Sequence, residues 1–96
     1  MSIDNRPQHI VITGPTAGIG RASALSLARD GADLTFLCRN LEKGKALARE
    51  IIEAGGMTPT VIEMDMARLD SVRAVAEAVR QLAKPIDVLL NNAGVI

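Results

Sequence analysis

The 96-residue sequence predicts an α/β fold in three layers, a parallel four-stranded sheet flanked by helices with βαβαβαβ connectivity. Three observations predict it. Short β-branched or apolar runs alternate with Ala- and Leu-rich segments of helical length. The helical segments close on glycines or on a Lys-Pro break. The strand-like runs are joined through helices, the connection that parallel strands require.

The first strand is His-Ile-Val-Ile-Thr over 9–13, stopped by Gly14. A glycine-rich turn leads into a helix over 19–30, with Gly31 just past its end. Asp-Leu-Thr-Phe-Leu-Cys over 33–38 is the second strand. Asn40 can cap a helix over 41–54, which the Gly55-Gly56 pair terminates. A third strand spans 58–64. A third helix runs from Asp70 or its neighbours to about Ala83, with Val72, Val75, Ala76, Val79 and Leu82 on one apolar stripe. Lys84-Pro85 breaks the chain, and 86–90 is a continuous apolar strand suited to burial on both faces. Right-handed crossovers give the strand order 3-2-1-4, the first half of a doubly wound, Rossmann-type sheet. Ligands in such folds bind beyond the carboxyl ends of the strands, where the order reverses. The whole of 1–96 reads as one partial α/β domain, with 1–8 as a polar N-terminal tail.

Composition narrows the partners. Eleven basic and eleven acidic residues cancel, and Phe36 is the single aromatic side chain. Neither nucleic acid nor an anionic membrane finds a charged or stacking surface to bind. One cysteine, Cys38, leaves no internal disulfide or cysteine-based metal cluster and fits a reducing, cytoplasmic setting. The N-terminal segment lacks the apolar stretch of a signal peptide, and no apolar run approaches the length of a membrane span. Cys38 is expected to be a small buried strand residue, His9 to lie at the surface, and Met64 and Met66 to fill core or loop space.

The turn after the first strand reads Thr13-Gly14-Pro15-Thr16-Ala17-Gly18-Ile19-Gly20. Glycine at 14 permits a sharp exit from the strand. At 18 it lets backbone approach a pyrophosphate, and at 20 it lets the helix pack closely on the sheet. The unpaired amides and positive dipole end of the following helix suit an anion. Ordinary turn glycines are the alternative, and the strand–turn–helix context argues against it. Thr13 is expected to support the turn by hydrogen bonding. A Walker-type loop is excluded, since no Gly-Lys precedes Ser or Thr.

Thr-Gly-x-x-x-Gly-Ile-Gly resembles the cofactor motif of the short-chain dehydrogenase/reductase family. Asn91-Asn92-Ala93-Gly94 resembles that family's Asn-Asn-Ala-Gly motif, and Asp65-Met66 falls where the family meets the adenine ring. The resemblance covers essentially 9–96, and Cys-Arg-Asn after the second strand is most like the retinol-dehydrogenase-like members. It implies a nicotinamide dinucleotide held by Gly14, Thr16, Gly18, Ile19, Gly20, Arg39, Asn40, Asp65, Met66, Asn91, Ala93 and Gly94. At several of these a plainer role competes: Asn91 as a strand-end structural residue, Asp65 as a cap or turn residue, Arg39 as a solvated cation.

An acid after the second strand would bond the 2′-hydroxyl of NAD and repel the 2′-phosphate of NADP. This sequence has Cys38-Arg39-Asn40 there, and a guanidinium fork favours the phosphate, so NADP is expected over NAD. The position before the middle glycine, basic in many NADP-preferring members, is Ala17.

The resemblance implies hydride transfer between NADP(H) and an alcohol or carbonyl, with a catalytic Tyr-x-x-x-Lys element. The sequence contains no tyrosine, so no catalytic residue is expected within it. The alternatives are a stand-alone, non-catalytic dinucleotide module and an inactive fragment. A methyltransferase is disfavoured by Arg39. The fourth strand, with Ile86, Val88, Leu89 and Leu90, is an open apolar edge that predicts self-association through 86–90.

Overall fold

A computed structural model describes residues 6–16, 18–65 and 67–91. The elements run β1 (His9–Thr13), α1 (Gly18–Arg29), β2 (Asp33–Cys38), α2 (Leu41–Glu53), β3 (Thr60–Glu63), α3 (Leu69–Gln81) and β4 (Val88–Asn91). All strand pairs are parallel, in the order β3-β2-β1-β4, as expected. Thr13 stands opposite Leu37 and Asn91, so β1, β2 and β4 finish level with one another.

Strand alternation divides the core between two faces. Ile10 and Ile12 of β1, with Leu34 and Phe36 of β2, pack under Ala24 and Ala28 of α1 and Leu47, Ala48 and Ile51 of α2. On the opposite face Val11 and Leu37 meet Met64 and Val75, the α3 side. The first core is the larger and seats both helices that frame the ligand end. Gly44 allows α2 to close on the sheet, because a Cβ there would stand 2.5 Å from Cys38 Sγ and 2.8 Å from Val61 Cγ1.

Four expectations need correction. His9 is buried, 1% exposed, and not at the surface. It opens the central strand, where its Nδ1–H donates to the Pro85 carbonyl at 3.1 Å and its Nε2 accepts from the Thr35 hydroxyl at 2.7 Å. A carbonyl can only accept, which fixes that tautomer. The β3 strand is shorter than 58–64. As an edge strand it pairs on one side only, over Thr60–Glu63, and Met64 just past its end is buried with its N–H on the Cys38 carbonyl at 2.9 Å. The β4 strand starts at Val88, not at 86. Pro85 has no N–H to give the ladder, and its carbonyl serves His9. Nor is β4 buried on both faces. Val88 and Leu90 pack on the α1-side core, while Leu89 is 62% exposed and Ile86 48%. The helices agree with expectation within two residues at either end.

Candidate functional site

The carboxyl ends of β1, β2 and β3 open into a cleft of about 430 Å³. Gly14 and Thr16 form its wall after β1, and Leu37, Cys38, Arg39 and Asn40 its wall after β2. Met64, Asp65 and Ala67 close it after β3, and Lys43 reaches it from the first turn of α2.

The turn between β1 and α1 adopts the shape its glycines were expected to permit. Gly14 has φ 62° and Gly18 φ 58°, the left-handed region where a side chain is strained. A Cβ on Gly20 would fall on the Gly14 carbonyl oxygen, so the turn folds back onto the helix only with glycine there. The same atom on Gly18 would meet nothing within 4 Å, leaving that side of the backbone open. The first turn of α1 carries no acidic side chain to neutralise its dipole. Open backbone, free helix amides and an unneutralised positive end fit a pyrophosphate. Ile19 is 79% exposed in that turn. Gly18, Ile19 and Gly20 lie outside the lining of the cleft itself.

At the other wall, Asn40 caps α2, its Oδ1 accepting from the Lys43 amide at 3.0 Å. Its role as a cap, expected from the sequence, is present. Arg39 is exposed and has no hydrogen-bond or ion-pair partner among the described residues. Asp65 holds its own turn, Oδ1 accepting from the Ala67 amide at 3.0 Å, while its N–H donates to the Ser71 hydroxyl at 3.0 Å. The turn role weighed for Asp65 is therefore occupied, and its carboxylate still lines the cleft. Cys38 is buried, and that burial, helped by the nearby charge of Glu63, pushes its thiol pKa up. It stays a protonated strand residue as expected, not a nucleophile.

Asn91 ends β4 and accepts the Thr13 hydroxyl proton at Oδ1, 2.9 Å away, with the Leu90 carbonyl at 3.5 Å. Thr13 was expected to support the glycine turn. Its hydroxyl reaches sideways and ties β1 to β4, because Asn91 stands opposite it in register. Ala17, Met66, Ala93 and Gly94 lie outside the described residues. Sequence reasoning overlooked Lys43. The signal was available: the third residue after an N-cap leans back over the cap toward the strand end.

The profile of the short chain dehydrogenase family matches residues 8–96. The chain belongs to that family. Human (Homo sapiens) retinol dehydrogenase 11 is 39% identical over 88 residues, which cover 91% of this chain and 28% of that protein. A metagenomic short-chain oxidoreductase solved in complex with NADP superposes with TM-score 0.83 at 40% identity, over 92% of this chain and 39% of its own. A D-mannonate oxidoreductase structure from Haemophilus influenza, with bound NAD, superposes with TM-score 0.79 at 26% identity, over 92% and 31%. This short-chain dehydrogenase chain thus spans under a third of the length of the curated relatives it matches.

Proposed function

We propose that this chain is the dinucleotide-holding part of a short-chain oxidoreductase that moves hydride between NADP(H) and an alcohol or carbonyl. The observation that carries the reading is one cleft with an open glycine turn near one wall and, on the other, a guanidinium without a partner among the described residues. The amides of Gly18, Ile19 and Gly20 take the pyrophosphate, with Gly14 and Thr16 shaping the turn. Arg39 faces the adenosine ribose, and Asp65 with Met66 borders the adenine. Asn91, Ala93 and Gly94 border the nicotinamide side. When bound, the nicotinamide supplies the hydride acceptor or donor.

The chain's own residues bind and orient; the proton-transfer group is not among them, since the sequence has no tyrosine. No described helix is long and apolar enough to cross a membrane. The free thiol of Cys38 fits a reducing, cytoplasmic setting.

NADP over NAD is carried by Arg39. A phosphate monoester bears about two negative charges at neutral pH, and a charge-assisted pair with guanidinium rewards it over a hydroxyl. Arg39→Asp should reverse the order of affinity for NADPH and NADH in a fluorescence titration. Unchanged selectivity would remove Arg39 from the ribose site.

A further inference from the structure

We propose that Lys43 is a second cation for the 2′-phosphate, closing with Arg39 on either side of the α2 cap. The inference rests on the NADP reading above and assigns a residue that reading does not use.

Arg39 precedes the N-cap Asn40, and Lys43 occupies the third helical position. Helical side chains lean toward the N-terminus, so Lys43 points back across the cap, toward the strand end that carries Arg39. Both side chains line the same cleft.

Pairing and position together set these two apart: Arg29, Lys45, Arg49 and Arg73 also hold no carboxylate among the described residues, but none of them lines this cleft. Arg6, Arg21, Arg68, Arg80 and Lys84 each hold a carboxylate. Lys43, like Arg39, has no such partner among the described residues. Asp65, the acid that shares their cleft, accepts the Ala67 N–H at Oδ1.

Position adds a second argument. The first turn of a helix is its positive end and disfavours a cation. Glu42 is the acid of that turn and lies outside the lining of the cleft that Lys43 reaches, and Asn40 already accepts the Lys43 amide. The Leu41 and Glu42 amides have no acceptor among the described residues. A dianion brought to this turn would meet two cations and a helix terminus together. A neutral 2′-hydroxyl would gain little from any of them.

The test is calorimetric titration of the 96-residue chain with NADPH, NADH and 2′,5′-ADP, comparing wild type with Lys43→Gln, Lys43→Arg and Arg39→Gln. Lys43→Gln should weaken NADPH and 2′,5′-ADP by about tenfold and leave NADH unchanged, while Lys43→Arg recovers most of the loss. Without ligand, Lys43→Gln should melt no lower than wild type, since it removes a charge the dipole repels. A merely structural role would instead lower the melting temperature and weaken all three ligands. A wild type that does not prefer NADPH overturns the parent reading and this one with it. Should the wild type prefer NADPH, Arg39→Gln abolish the preference and Lys43→Gln keep it, the parent reading stands and the second cation is wrong.

Discussion

Asp87 is a small hub at the amino-terminal end of the sheet. Its carboxylate takes two bonds from the Arg6 guanidinium, at 2.8 and 3.0 Å, and one from the His9 amide at 2.7 Å. The Arg6 bonds first, then the His9 N–H, lower its pKa to about 2. A carboxylate depressed in the folded state contributes stability that is complete above its unfolded value, about 3.9. That contribution is lost as pH falls toward about 2. The urea midpoint should therefore drop between those values, and Asp87→Asn should flatten that part of the profile. An unchanged slope in the variant would show that Asp87 is not the group responsible. His9, beside it, could not be placed from sequence. A lone histidine before an apolar run looks solvated until Pro85, 76 residues away, brings its carbonyl to the ring.

Among the elements, α3 ends under strain. Leu82 and Ala83 close it with bonds to the carbonyls three residues back, and Ala83 is then forced to φ 56°. It is the sole described residue other than glycine with positive φ, at a position where helices usually place glycine. An L-residue there costs about 1–2 kcal/mol, of which glycine's extra freedom in the unfolded chain offsets about half. Ala83→Gly should stabilise the fold by roughly 0.5–1 kcal/mol, raising the melting temperature by a few degrees, about 4 °C or so. A lower melting temperature would mean that the alanine methyl holds the loop by packing.

Element types were readable because Gly31 and Gly55 mark helix ends by their backbone, with φ 88° and 93°. The cap was equally readable from Asn40. Strand ends were not. They depend on which neighbour supplies a ladder, and that is decided across the sheet, as at Pro85 and Met64.

At the scale of the whole molecule, the topology and the cleft were legible together. The glycine turn, Arg39 and Asp65 fall at three successive strand ends, and parallel order brings such ends to one side. Lys43 escaped because its relevance comes from helix geometry and not from a strand end. The apolar surface of β4 was half legible. Its hydrophobicity is in the sequence, but which side stays open depends on α1 covering Val88 and Leu90 and leaving Leu89 out. Beyond β1, β4 has no strand partner among the described residues. We propose that this chain self-associates through 86–90, the edge and its exposed Leu89 supporting that reading. Size-exclusion with light scattering should give a mass above one chain, and Leu89→Lys should return it to a monomer. A wild-type monomer at high concentration would refute the pairing.

The central claim is that cofactor phosphates rest on the backbone amides at the start of α1. Amide NMR of the isotope-labelled chain titrated with NADPH measures this directly. The largest shifts should fall on Gly14, Gly18, Ile19 and Gly20, with Arg39 responding at the far wall. Shifts confined to other segments, with those glycine amides unmoved at saturation, would contradict the account.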